Sequence, residues 1–316
     1  MVALGGNALL QRRERPDAVI QRHHIRAAAA ALAPLAAEHQ LIVCHGNGPQ
    51  IGLLALESDA DPTLSAPYPL DALGAQTQGM IGYWLAQELR NAGVGRPVAT
   101  IITQTVVDAA DPAFAAPTKF IGAVYSREDA ERLAIDRGWR IAADGAGWRR
   151  VVASPLPQRI LEESAIRLLL DADTLVICGG GGGVPVTQDS AGRLTGVEAV
   201  VDKDLTAAAI AVTMDADRML LLTDVPAVMR DFGTADAVAL DALRLSEVAD
   251  LHLPAGSMGP KVRACARFTS VTGQPSSIGA LTDAAAVLSG ASGTSIYPDP
   301  AGGPPPRIPV GASSER

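Results

Sequence analysis

The chain has 316 residues, 48% of them hydrophobic, enough to bury a full core as one large α/β domain or two lobes rather than a string of modules. A formal net charge of −8 excludes nucleic acid and anionic membrane as main partners, because both want a basic surface, so any lysine cluster that serves an anion has to be local. Cys44, Cys178 and Cys265 are an odd number without Cys-x-x-Cys spacing, and the five histidines show no metal-ligand spacing, a pattern that fits reduced thiols in the cytoplasm.

In chain order, residues 1–4 make a short apolar strand that runs into Gly5, Gly6 and Asn7. The amino end is apolar first and basic afterwards (Arg12, Arg13, Arg15), the reverse of a signal peptide, and no uninterrupted apolar run reaches transmembrane length. The Ala-rich stretch 17–39 has helical spacing, with a kink or early break predicted at Pro34. Strand 41–44 ends in His45, Gly46, Asn47 and Gly48, and a helix opens at Pro49, a residue suited to a first turn. Two parallel strands that both end in glycine-rich loops bring those loops to one sheet edge, where ligands bind.

The stretch 71–90 reads as a helix closed by Asn91 and Gly93, and Gly74, Gly79 and Gly82 within it point to close helix packing. Residues 97–103 read as a strand. From 111 to 157 prolines, scattered charge, Trp139 and Trp148 mark an inserted subdomain standing off the sheet. Residues 159–170 read as a helix, and the short β-branched run 174–178 as a buried strand of a parallel sheet. After it come helix 205–214, strand 218–223, helix 260–272, strand 276–280 and a short helix over 284–288. From 298 onward the Pro/Gly-rich chain reads as a disordered tail.

The central strand feeds Gly179, Gly180, Gly181, Gly182 and Gly183. Such a run leaves backbone N–H groups uncovered and lets an anion approach the main chain, and Lys203, between Asp202 and Asp204, would close the cradle. No Gly-Lys-Ser/Thr follows, and Val184 stands where a dinucleotide fingerprint needs its third glycine, so from these residues alone a plain connection between layers is an equal reading. Cys44 and His45, adjacent on a strand, point to opposite faces and make no nucleophile pair. Ser257 and Lys261 are one residue too far apart for a Ser-x-x-Lys site. Lys261 sits at a helix start, where the dipole opposes a cation, so it faces solvent or holds an anion. By itself Lys119 reads as a surface lysine, and Asp202 and Asp204 as an N-cap and a solvated pair.

Together these blocks closely resemble the carbamate kinases of the amino-acid-kinase family, from about residue 2 to 296. The resemblance is carried by Val-Ala-Leu-Gly-Gly-Asn-Ala (2–8), His-Gly-Asn-Gly-Pro-Gln (45–50), Thr-Gln-Gly-Met-Ile-Gly-Tyr (77–83), Pro-Thr-Lys (117–119), Gly-Trp-Arg-Arg-Val-Val-Ala-Ser-Pro (147–155), the glycine run, Gly-Val-Glu-Ala-Val-Val-Asp-Lys-Asp (196–204) and Gly-Ser-Met-Gly-Pro-Lys (256–261). It implies an αβα sandwich around a mainly parallel open sheet, in a single domain over 1–297. Within that domain it implies a carbamate-binding lobe over 1–172 with a protruding subdomain at 117–157, and a nucleotide-binding lobe over 173–297. A homodimer, ATP or ADP, Mg²⁺ and small-molecule substrates are implied with it, in a reaction that usually runs toward ATP from carbamoyl phosphate and ADP.

Carried over by position, Gly5, Gly6, Asn7, Gly46, Asn47 and Gly48 would hold carbamate and the transferred phosphoryl end. Lys119 would reach in from the subdomain. The glycine run, Lys203 and Lys261 would embrace the nucleotide phosphates, Asp202 would orient the lysines, and Thr223 and Asp224 would lie near the base. Two departures stand out: Phe120 replaces a proline common after the lysine, and Leu222-Thr223-Asp224-Val225-Pro226 differs from the usual Thr-Gly-Val-Asp. Phe120 and the block Tyr-Pro-Leu-Asp (68–71) look more like the branch associated with allantoin and oxamate breakdown than with arginine fermentation. A sibling kinase for another small acid is disfavoured by the long insertion, and a non-catalytic nucleotide sensor by the retention of all three lysines.

Overall fold

The structure is a computed structural model that describes residues 1–6, 9–11, 14–234, 236–251, 253 and 258–300. Asn7, Ser257 and the tail from 301 onward therefore lie outside the described residues. The elements in order are β1 (Val2–Leu4), α1 (Ala18–Glu38), β2 (Ile42–His45), α2 (Gly48–Ala60), α3 (Leu70–Asn91), β3 (Val98–Thr100) and β4 (Gln104–Val106). They continue with β5 (Lys119–Tyr125), α4 (Arg127–Arg137), β6 (Arg140–Asp144), β7 (Gly147–Val152), β8 (Arg159–Ile160), α5 (Glu163–Asp171), β9 (Leu175–Ile177), β10 (Val184–Gln188) and β11 (Leu194–Gly196). The last part holds α6 (Lys203–Thr213), β12 (Met219–Thr223), β13 (Val228–Arg230), β14 (Val238–Leu240), β15 (Ala242–Arg244), α7 (Leu245–Val248), α8 (Met258–Thr272), β16 (Ser276–Ala280), α9 (Ala284–Ser289) and β17 (Thr294–Tyr297).

Eight strands form the central sheet in the order β15-β17-β16-β12-β1-β2-β9-β3, and every neighbouring pair but β16–β17 is parallel. The sheet runs on without a break across the lobe boundary expected at 172/173, since β9 lies between β2 and β3. Alternation along its strands sorts the core into two layers. Val2, Leu4, Val43, Leu175, Ile177, Leu220 and Leu222 face one side and pack with residues of α1, α3 and α9. Ala3, Ile42, Cys44, Val176, Cys178, Met219, Leu221 and Ile278 face the other, against α6 and α8. That is the expected αβα sandwich.

Several local expectations give way to packing. Helix α1 does not stop at Pro34 but runs to Glu38, the burial of Leu35 and Ala36 in its last turn offsetting the hydrogen bond to the Ala30 carbonyl that Pro34 removes. The strand expected at 97–103 is realised only as β3 (Val98–Thr100) in the central sheet, and the chain then turns into β4 of a second, four-stranded sheet of order β11-β10-β4-β8. The helix expected from 159 begins only at Glu163, since Arg159 and Ile160 are taken up as β8 beside β4. Gly82 does serve close packing, but against a strand: a Cβ there would lie 2.2 Å from Thr100 Cγ2, whereas Gly74 and Gly79 have open space.

The insertion stands apart as a three-stranded antiparallel sheet, β5-β7-β6, with α4 against it. Its base is seated by a small separate core of Ile51, Ala55, Leu70, Leu73, Ile121, Val152 and Val200, drawn from α2, α3, the subdomain and the segment before α6.

Candidate active site

Because β1, β2, β9 and β12 are parallel neighbours, their carboxyl ends share one edge of the sheet. Gly5 follows β1 and donates its N–H to Leu222 O at 2.7 Å, while Gly46 follows β2 and donates to Leu4 O at 3.1 Å. A Cβ on Gly46 would touch Gly6 Cα and N at 3.0 Å and Lys203 Cε at 3.4 Å, so the two loops and the lysine meet. Thr223, at the end of β12, closes in on Gly5 and donates its hydroxyl to Asp224 Oδ1 at 3.0 Å.

Three lysines converge on the first turn of α6. Asp202 is the N-cap, its Oδ1 accepting from the N–H groups of Asp204 at 2.9 Å and Leu205 at 3.4 Å. Its Oδ2 takes the Lys119 ammonium, arriving from the subdomain, at 2.6 Å. Lys203 bonds Asp204 Oδ1, and Lys261, from the first turn of α8, bonds Asp204 Oδ2 at 3.1 Å. A sequence reading that gives Asp202 all the orienting work therefore needs correction: Asp202 holds Lys119, and Asp204 holds the other two. Nor is Asp204 solvated, for it is only 3% exposed. The signal was the Asp-Lys-Asp spacing at an N-terminus, where the third residue turns back toward the core.

Burial works against the charges of Asp202, Asp204 and Lys203, and pairing outweighs it. For Asp202 burial pushes the carboxyl up, but the Lys119 ammonium, its hydrogen bond and Lys203 hold it well below the usual carboxylate range. Asp204 is likewise held down by Lys203 and Lys261 against burial, and burial of Lys203 is outweighed by Asp204, so its ammonium is held above the ordinary lysine value. Asp202, Asp204 and Lys203 are therefore held ionised at neutral pH. Three cations against two carboxylates leave the cluster with a net positive charge.

The glycine run is buried and folded on itself rather than extended, and three of its five amides are bonded within the protein. All five residues are buried, and Gly180–Gly182 form a tight 3-10 turn. The N–H of Gly179 goes to Thr103 Oγ1 at 2.9 Å, and those of Gly182 and Gly183 go to Gly179 O and Gly180 O, both at 3.0 Å. Glycine is required because the turn is wedged between loops. A Cβ on Gly180 would lie 2.3 Å from His45 Nε2, on Gly181 2.1 Å from Asn47 Nδ2, and on Gly182 2.3 Å from Val201 O. At Gly181, Gly182 and Gly183 positive φ values of 63°, 95° and 81° add a second reason. The run thus ties the loop after β2 to the segment that delivers Asp202.

Gly48 opens α2, and Asn47 donates its amide to Thr77 Oγ1 at 2.9 Å, which fixes the loop to α3. Cys44 and His45 part as expected: the thiol donates to Gly179 O at 3.1 Å, and His45 Nδ1 bonds Gly46 O at 3.0 Å. Among the described residues no group of three or more His, Cys, Asp or Glu side chains is arranged to hold a metal ion, and no helix is long and apolar enough to cross a membrane.

An αβα sandwich whose glycine loops and converging lysines share one sheet edge defines a phosphotransferase. The amino acid kinase family model matches residues 1–279, and the chain belongs to that family. Within it, the chain is 49% identical to a carbamate kinase of Rhizobium meliloti over 299 residues, covering 94% of this chain and 92% of the relative. It is 48% identical to the Escherichia coli K12 carbamate kinase over 296 residues, with 94% and 98% covered. The solved carbamate kinase from Giardia lamblia bound to AMP-PNP superposes with a TM-score of 0.85 at 39% identity, covering 94% of this chain and 98% of that one.

Proposed function

We propose that the protein transfers a phosphoryl group reversibly between ATP and carbamate, giving ADP and carbamoyl phosphate, and that it works toward ATP in the breakdown of nitrogen compounds. The observation that carries this reading is the convergence of Lys119, Lys203 and Lys261, from three separate elements, on Asp202 and Asp204 beside the glycine loops.

Phosphoryl transfer asks little covalent chemistry of a protein. It needs the acceptor and donor held in line and the charge on the transferring group met by fixed cations. Carbamate is already an anion, so no general base is needed. In this reading the loops at Gly5, Gly6, Gly46, Asn47 and Gly48 hold carbamate and the phosphoryl end, and Asn7, next in the sequence, is assigned to the same role. The wedge 179–183 backs that position through His45 and Asn47. Lys203 and Lys261 meet the nucleotide phosphates, with Thr223 and Asp224 flanking them. Lys119 adds the third cation when the subdomain is docked. Mg²⁺ enters as part of the nucleotide substrate, as it usually does when phosphates supply much of its coordination. The same reading makes the protein a cytoplasmic homodimer.

The test is a coupled assay for ATP from carbamoyl phosphate, ADP and Mg²⁺. Robust ATP formation is expected; none across a broad pH range, with activity on acetylglutamate or a nucleoside monophosphate instead, overturns the assignment. Light scattering at the monomer mass would remove the dimer.

A further inference from the structure

We infer that Gly52 and Gly122 form the positioning contact that sets the reach of Lys119 into the site, an inference that rests on the role proposed for Lys119. Gly52 lies on the second turn of α2, the helix whose first turn follows the loop at Asn47. Gly122 lies in β5, three residues beyond Lys119, with φ at +72°. A Cβ on Gly52 would sit 2.1 Å from Gly122 Cα and 2.4 Å from its N, so the two backbones touch with no side chain between them. Arg149 Nη2 donates to Gly122 O at 2.9 Å and holds the bend from the subdomain side. Ala55, Leu56, Tyr125 and Trp139 surround the contact.

The contact falls where the chain changes direction. The pairing of β5 with β7 is regular from Lys119 to Ile121 and shifts register between Ile121 and Tyr125. From Lys119 to the contact the strand is therefore a paired, stiff arm of about 10 Å, at roughly 3.3 Å per residue. At the far end of that arm the ammonium lies 2.6 Å from Asp202. Ordinary contact for a Cβ begins near 3.4 Å, so a methyl on Gly52 has to open the seat by more than an ångström. A misplacement of about 1 Å costs on the order of 10²-fold in rate where catalysis is positioning. Gly52 thus couples the substrate loop and the subdomain through one helix.

Gly52→Ala favours α2 by helix propensity, so a loss of activity cannot be put down to a weaker helix. The expected result is a kcat lowered roughly 10- to 100-fold, a raised KM for carbamoyl phosphate, and a dissociation constant for ADP alone, by calorimetry, within a few-fold of the parent. In a Lys119→Ala background Gly52→Ala should change kcat no further, because the arm then carries no cation. Arg149→Lys, a milder disturbance of the same seat, should show the same pattern at smaller size and serves if Gly52→Ala does not fold. Unchanged kcat in Gly52→Ala, or a loss that multiplies fully with that of Lys119→Ala, overturns the inference and leaves the role of Lys119 standing. Unchanged kcat in Lys119→Ala itself sinks both.

Discussion

Helices α4 and α6 are each eleven residues long and are held in opposite ways. Helix α6 buries seven residues, Lys203 and Asp204 among them, between the sheet and α8. Helix α4 buries only Ala130. It is kept mainly by devices of the subdomain itself: Ser126 as N-cap, Gly138 in the left-handed region at its end, the pairs Arg127–Glu131 and Arg132–Asp129, and Arg127 and Arg137 over Trp148 and Trp139, with the Arg137–Asp59 pair as its ion-pair tie to α2. A body stabilised locally can change its pose without opening the main core, whereas α6 cannot move without it. Two of the three cations are therefore built into the rigid part, and the third is carried by the part that can be re-posed.

The largest effect expected is on the rigid side. Asp204→Ala leaves Lys203 and Lys261 without their shared carboxylate in a buried site, and breaking such a pair costs about 3–5 kcal/mol. Denaturant unfolding should show that loss; a change below about 1 kcal/mol, the range of exposed pairs, would mean that the cluster is solvated.

The rigid half should also be the acid-sensitive one. Burial pushes His45 from its ordinary 6.5 down to about 4, so between those values the unfolded chain binds a proton that the folded one refuses. Stability should therefore fall as pH drops through that window, by at most about 3 kcal/mol at full protonation of the unfolded state. Asp202 and Asp204, whose pKa values are depressed, give up their contribution only at lower pH, below the ordinary 3.8. Unfolding titrations of the parent and of His45→Gln should converge toward pH 4, and parallel curves would show that His45 is not the cause.

Lys203→Ala and Lys261→Ala should each lower kcat by about 10²-fold or more, as loss of one preorganised donor to developing charge commonly does. Near-normal turnover in both would reduce the cluster to structural pairing. The smallest effect belongs to the locally held half: Ser126→Ala removes the hydroxyl that accepts the Asp129 N–H at 3.1 Å and should cost about 1 kcal/mol, with kcat little changed. A global loss of several kcal/mol would show that α4 is not the independent body described.

The sheet edge was legible in the sequence because strand-then-glycine junctions repeat at Gly5, Gly46 and Gly179, and parallel pairing sends all three to one side. The lysines were legible only as a set, since each alone is an ordinary surface residue. The pairing partner of each lysine was not legible: whether Asp202 or Asp204 faces a given ammonium depends on the turn of α6 and on where α8 docks, both long-range. The packing of the glycine run was illegible for a related reason. The amides of Gly179, Gly182 and Gly183 are taken by Thr103 and by carbonyls of the run, and nothing local in five glycines announces a neighbour such as Asn47 pressed against them. Strands β10 and β11, β13 to β15 and β17 are not legible either: all are short, β10–β11 and β13–β14 are local antiparallel pairs without a strong turn signal, and β10 and β15 also pair with strands far along the chain.

The division into two fixed cations and one carried cation is tested most directly by Lys119→Ala, measured twice: steady-state kinetics with carbamoyl phosphate, and calorimetry with ADP alone. A kcat lower by roughly 10²-fold and a raised KM for carbamoyl phosphate are expected, with ADP affinity within a few-fold of the parent. A large loss of ADP affinity, or unchanged kinetics, would contradict the division and leave the subdomain with a role in assembly instead.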